Sequence, residues 1–351
     1  MRKMFGVAGL ALACAVGFAM AQEMPGILPP PSVNDSGTVS VPAFELPYSS
    51  FASPEARQSF VQRLRSPMPI VADINQMRQI SDTRSRPALE GWTARYPYTS
   101  VKSHVGDIPI ETFTPNAGIA PENRDRVLLQ FHGGGFRAGG GGPGGALESI
   151  PIAGVGRIKV VAVDYRLQPE HKMQDAIDDA VAVYRDLLRT YRPENIGFYG
   201  CSAGGALSGL AATAIIRQNL PTPGAIGVFC ASLRGFGGGD SAQLWPRLGS
   251  VIRMAPTTAP PPPDPFGPTE AEMRKFPPTL FLTGTRAPEM SGAAESNLEL
   301  RSLGVKSELL LFDGMDHGFY SDPGLPESAR ANALIVQFFA ENLGPHSRAR
   351  R

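Results

Sequence analysis

Cysteine is the first scarcity. The chain has three, at positions 14, 201 and 230, too few for a disulfide framework, and Cys201 and Cys230 read as buried small side chains. Histidine is nearly as sparse. The five, at 104, 132, 171, 317 and 346, show no ligand spacing with one another or with cysteine, so no metal ligand is assigned. A surplus of charge of either sign is missing too. Lys and Arg number 33 against 32 Asp and Glu, a formal net charge of +1. That balance gives no reason to expect nucleic acid or an anionic membrane as a partner. The basic end at residues 346–351, Arg348-Ala349-Arg350-Arg351 included, is short enough to be a solvated terminus. Internal repeats are lacking. Glycine and proline are the opposite case, with 39 and 34, so single glycine motifs carry little weight without their context.

The start of the chain reads as an export signal. Arg2 and Lys3 precede an apolar stretch from Met4 to Met20, and Ala19-Met20-Ala21 supplies an A-x-A cleavage site before Gln22. Residues 1–21 are therefore expected to be a signal peptide, the mature chain to be secreted or periplasmic, and no stable membrane anchor to remain. A lipid-bearing Cys14 is disfavoured because Ala11-Leu12-Ala13 lacks the usual Leu three residues before the Cys. Residues 22–52, rich in Pro, Ser and Gly, read as a flexible lead-in. Ser53 and Pro54 then open a helix, and a second helical pattern starts near Asp73, with Ile74, Met77 and Ile80 on one face.

After these two helices the pattern changes. Ile108–Phe113 alternates like an edge strand. Short apolar runs at 126–131, 159–163, 196–199, 226–231, 279–282 and 308–312 read as buried strands. Amphipathic helices are expected over Asp175–Arg189 and from about Glu327 to Leu343. Strands alternating with helices imply an α/β fold, a mostly parallel sheet with helices on both faces. Ala255–Pro268, with four consecutive prolines, reads as a surface excursion.

Gly200-Cys201-Ser202-Ala203-Gly204-Gly205 lies between one of these strands and a helical run. A Ser flanked by glycines on such a turn fits a nucleophile elbow, which lifts the hydroxyl to a helix N-terminus. His132-Gly133-Gly134-Gly135 directly follows another strand, and consecutive glycines let backbone N–H groups approach one oxygen. His317, in Asp316-His317-Gly318-Phe319, follows the last strand and precedes the last helix. The order of loop, Ser and His is the one an α/β-hydrolase uses.

With Val163-Asp164-Tyr165-Arg166-Leu167-Gln168-Pro169-Glu170-His171, these segments make the chain resemble the hormone-sensitive-lipase-like esterases, over about residues 90–343. The resemblance implies an α/β-hydrolase fold with an N-terminal helical cap at 53–95 and a catalytic domain at 96–345. It implies Ser202 as nucleophile, His317 as base, and N–H groups of Gly133, Gly134 and Ala203 as the oxyanion hole. It also implies that the charged residues of the 163–171 segment form a buried, paired network supporting the site. No cofactor is implied, and the partner expected is a small-molecule ester of small to medium acyl size. The oligomeric state is left open.

One position departs from the family. Its third catalytic residue is an Asp after the penultimate strand, and Ala287 stands there in Gly284-Thr285-Arg286-Ala287-Pro288-Glu289-Met290. Glu289 is the nearest carboxylate, but the loop has to bend back to bring it into place. The alternatives are another carboxylate such as Asp313, or no acid at all. The rival reading is a binding protein on a degraded hydrolase fold, for which Ala287 argues and against which Ser202 and His317 argue. An amidase or lactonase would use the same residues as an esterase.

Overall fold

The computed structural model describes residues 31–67, 69, 71–140, 143–235, 238–249 and 264–344. The expected signal peptide, most of the proline-rich excursion and the basic end lie outside these residues. The chain divides into Met1–Pro47 and Tyr48–Arg351. In the first, Ser32–Val33 (β1) and Val39–Ser40 (β2) form a small antiparallel ladder. The Asn34 side chain accepts from the Ser36 and Thr38 N–H groups at its turn.

The second unit holds an eight-stranded sheet in the order β10-β9-β8-β7-β5-β6-β4-β3. Its strands are Tyr98–Val105 (β3), Ile108–Pro115 (β4), Val127–Phe131 (β5), Lys159–Val163 (β6), Ile196–Cys201 (β7), Ala225–Phe229 (β8), Thr279–Gly284 (β9) and Ser307–Phe312 (β10). Neighbours from β10 through β6 pair in parallel, while β4 pairs antiparallel with both β6 and β3. Ile108–Phe113 is thus not the edge. The edge is β3, whose residues from Thr99 to His104 are all exposed. With no buried face, it carries no alternation for the sequence to reveal.

The five strands β9, β8, β7, β5 and β6 are buried on both sides because helices cover both faces. Val127, Leu129 and Phe131 pack with Ile177, Ala180 and Tyr184 of Met173–Leu187 (α4) and with Leu207, Ala211 and Ile215 of Ala203–Arg217 (α5). Leu128 turns the other way, toward Ile150 and Ala153 of Pro143–Gly156 (α3) and Ile335, Phe338 and Phe339 of Pro326–Asn342 (α9). Helix α3 is not legible in the sequence, because four glycines and Pro151 break up its pattern.

Pro54–Arg65 (α1) begins where the sequence places it: Ser53 Oγ accepts the Ala56 N–H at 3.1 Å, a cap of about 1 kcal/mol. Ile74–Arg95 (α2) is capped in the same way by Asp73. Shorter helices, Gly239–Leu248 (α6) and Glu270–Met273 (α7), precede β9, and Met290–Ser302 (α8) joins β9 to β10. Among the described residues no helix is long and apolar enough to cross a membrane.

Candidate active site

In an open parallel sheet, ligands bind beyond the carboxyl ends of the strands. Five of those ends carry the residues singled out above. The loop after β5 holds His132–Gly135, the end of β7 holds Ser202, and the loops after β8, β9 and β10 hold Cys230, Glu289 and His317.

Ser202 has φ 58° and ψ −120°, a conformation costly for any residue with a side chain. The turn is held by the Ser202 N–H donating to Phe229 O and the Ala206 N–H donating to Ser202 O, each at 2.9 Å. The flanking glycines are steric necessities. A Cβ on Gly200 would sit 2.1 Å from Phe131 O, and one on Gly204 would sit 1.8 Å from the same oxygen. The elbow therefore closes only when pressed against the end of β5. Ala203 is the first residue of α5, so its N–H has no acceptor within the helix.

The oxyanion loop differs from the expectation at one residue. The Gly133 N–H donates to Glu148 Oε1 of α3 at 3.1 Å. That N–H is thus engaged by a carboxylate, and the other two expected donors are the N–H groups of Gly134 and Ala203. Gly134 has φ 117°, and a Cβ there would lie 2.1 Å from Ala138 O. His132 is buried, stacks on Tyr165 at 4.2 Å and places Nδ1 2.7 Å from Gly133 O. Burial lowers its pKa below the ordinary histidine value, so it supports the loop as a neutral ring.

Glu289 Oε2 lies 3.0 Å from His317 Nδ1. Two successive turns bring it there: the Ala287 N–H donates to Gly284 O at 3.1 Å, and the Met290 N–H to Ala287 O at 3.2 Å. Ala287 is fully buried beneath the loop. Glu289 occupies the N-cap position of α8 without a side-chain cap bond, where a carboxylate suits the positive end of the helix. Thr283 Oγ1 donates to its other oxygen at 3.2 Å. Asp313 is turned elsewhere, accepting from Ser49 Oγ and Thr285 Oγ1, and Asp316 Oδ1 accepts the His317 N–H at 2.7 Å.

Backbone bonds from Thr285 N–H to Phe312 O and from Arg286 N–H to Met315 O zip the acid loop to the histidine loop. The Arg286 guanidinium sits over the rings of Tyr48, Phe60 and Trp245 at 4.8, 5.1 and 5.9 Å, which ties that loop to α1 and α6.

Burial alone would lower the pKa of His317, but the Glu289 carboxylate overrides it and raises the value to about 9. Cys230 Sγ accepts the Gly318 N–H at 3.3 Å. It also lies within 4.8 Å of donor atoms of both Glu289 and His317, a thiol–carboxylate–imidazole set of a kind that binds zinc. No spacing in the sequence foreshadows this cluster. Cys201 and Cys230 are free and buried. A hydrogen bond to Cys230, then burial, push the Cys201 thiol well above its ordinary range.

Arg166, Glu170 and His171 of the 163–171 segment are paired, but they are not buried. Arg166 binds Asp179 at 2.7 Å, Glu170 binds Arg78 at 2.7 Å, and His171 lies 4.0 Å from Asp175. The Arg166, Glu170 and His171 side chains are 43, 47 and 45% exposed, and of these partners only Asp179 is buried. These charges stay in solvent because α4 covers the sheet with its apolar side and leaves its acidic start at the rim.

A family profile for the alpha/beta hydrolase fold matches residues 128–321. Carboxylesterase/phospholipase LipF of Mycobacterium tuberculosis is 29% identical over 260 residues, 66% of this chain and 67% of that protein. Versiconal hemiacetal acetate esterase stcI of Emericella nidulans is 32% identical over 118 residues, 33% of this chain and 39% of that protein. Among solved structures, esterase E25 superposes with a TM-score of 0.72 at 24% identity, covering 87% of this chain and 99% of that one. An esterase from the bacterial hormone-sensitive lipase family superposes with 0.68 at 24% identity, covering 83 and 99%.

Proposed function

The chain belongs to the alpha/beta-hydrolase fold family, and from that membership we propose that it is a serine carboxylesterase acting on small to medium acyl esters. The observation that carries the reading is the contact between Glu289 and His317, formed at the strand ends where Ser202 stands on its strained elbow. With Nδ1 facing Glu289, Nε2 is left to take the Ser202 proton. Ser202 Oγ then attacks the ester carbonyl, and the N–H groups of Gly134 and Ala203 receive the oxyanion. His317 passes its proton to the leaving alcohol, and water repeats the sequence to free the acid. A nucleophile, a base and an acid together speak against a degraded binding protein. The same steps serve an amide or a lactone, which substrate competition separates. Helices α1 and α2 are proposed as part of a cap. In support, α1 lies against both catalytic loops, through Phe60 beside Arg286 and Ser59 bonded to Asp322.

Turnover of a short p-nitrophenyl ester by the purified protein tests this reading. A base must be neutral to accept a proton, and His317 is held protonated up to about 9. The kcat/KM is therefore expected to climb through neutral pH and level off only above about 9. Absence of turnover sinks the proposal, and a plateau already reached at neutral pH sinks the assigned electrostatics of the base.

Export is proposed as well, supported by the basic start, the apolar stretch and the A-x-A site. The exported protein is expected to read Gln22 at its N-terminus by sequencing. A chain keeping residues 1–21, or one lipidated at Cys14, overturns this.

A further inference from the structure

Glu148 is a buried carboxylate that the steps above do not use. Asp179 and Glu289, also buried, face a basic side chain, Arg166 and His317 respectively. The Glu148 carboxylate instead accepts from neutral donors on three separate active-site loops. We propose that Glu148 is a positioning residue for the reaction, holding the oxyanion loop, the elbow and the histidine loop in one arrangement. Its Oε1 accepts the Gly133 N–H at 3.1 Å, while Oε2 accepts the Cys201 N–H and the Tyr320 hydroxyl at 3.0 Å each.

Each partner adjoins a working group. Gly133 precedes Gly134, so fixing its peptide aims the next N–H. Cys201 precedes Ser202. Tyr320 lies three residues past His317, in the turn Phe319–Ser321. The carboxylate is carried by α3, whose other contact here is the Tyr199 hydroxyl donating to Glu148 O at 3.2 Å. An ionised carboxylate suits the task because it accepts several bonds and donates none. A carboxamide of the same shape offers a single acceptor oxygen, and its NH₂ would confront one of the N–H donors.

The arrangement depends on pH. The groups that face Glu148 are Tyr165 beyond β6, Tyr199 and Cys201 on β7, Tyr320, and the uncharged Gln130 on β5. The four titratable ones all have pKa values raised well above the ordinary, so at neutral pH none of these groups carries charge. Burial, opposed by the hydrogen bonds, pushes Glu148 up to about 7. Below that pH the carboxyl gains a proton and loses the charge that strengthens its three bonds. Log kcat/KM should then rise with slope two below about 7 and slope one from there to about 9, the second limb being His317.

The inference rests on the ester-hydrolase reading, and Glu148→Gln tests it. Losing an oxyanion donor costs about 10²–10³, and a misplacement of about 1 Å costs about 10². The variant is expected to lose about 10² in kcat with KM changed less than about threefold, and to show slope one throughout. Amide hydrogen exchange supplies a readout that needs no substrate. Exchange across 132–138 and at Cys201 should quicken by about tenfold or more. A parental kcat, a slope of two that persists in the variant, or unchanged exchange overturns the proposal. If the parent hydrolyses no ester, the function reading fails and exchange alone decides Glu148. Should Glu148→Gln not fold, Glu148→Asp replaces it. The shorter carboxylate is expected to lower kcat and keep the double slope, and a parental kcat there overturns the proposal.

Discussion

Replacing Ser202 with Ala is expected to lower ester turnover by about 10⁶ and to abolish labelling by a fluorophosphonate probe. The loss is this large because the hydroxyl is the bond-forming group. Nothing else at the end of β7 substitutes for it, since the neighbouring Cys201 is buried with a thiol held protonated. The fold should survive. Ala and Ser both carry a Cβ, so the strain at φ 58° is the same in both, and the bonds holding the elbow use the backbone of residue 202. A melting temperature close to that of the parent, with labelling and turnover both gone, is the expected pair of results. Labelling of the variant equal to that of the parent would remove Ser202 as the nucleophile.

Glu289→Gln is expected to cost about 10⁴ in turnover, the scale on which other triads respond to loss of their acid. In the proposed mechanism the carboxylate holds the His317 ring with Nδ1 inward and stabilises the cation formed during the reaction. Gln keeps the shape and removes the charge. A second effect separates this from general damage. With the carboxylate gone, the burial that lowers the His317 pKa is no longer outweighed by Glu289, so the residual activity should reach its plateau well below pH 9. The stability linkage has the matching sign. The raised histidine contributes stability in full below its ordinary value, near 6.5, and loses it as pH rises through about 9. The parent should therefore melt lower at high pH, and the variant should show less of this dependence. Ala287→Asp in the parent should change turnover by less than about threefold, because His317 Nδ1 already faces a carboxylate. Turnover of Glu289→Gln within about tenfold of the parent would move the search for the acid to Asp313.

The parts of the site legible in the chain are those whose geometry is local. The elbow is a turn of a few consecutive residues with its own glycine pattern, although the contact that makes Gly200 and Gly204 necessary is with Phe131 O of β5. His132–Gly135 and Asp316–Phe319 are likewise read as short segments at strand ends, and apolar strands alternating with helices place those ends together along the carboxyl end of a parallel sheet. The sequence by itself thus determined the fold class and the three short segments that stand at the strand ends, the Ser202 elbow, the His132–Gly135 loop and the His317 loop.

Three features were settled only by the tertiary structure. Glu289 is distinguishable from Asp313 only once β9 and β10 lie side by side, because the bonds that shape its loop run between those two strands' ends. Gly133 reads as an oxyanion donor until α3 packs beside it, for the acceptor of its N–H lies on a helix broken in pattern by glycine and proline. Glu148 itself gathers partners 15, 53 and 172 residues away. A hydrophobic period reports which side of an element is buried, whereas a buried carboxylate is defined by which donors the fold brings to it, and those donors carry no mark in the linear chain.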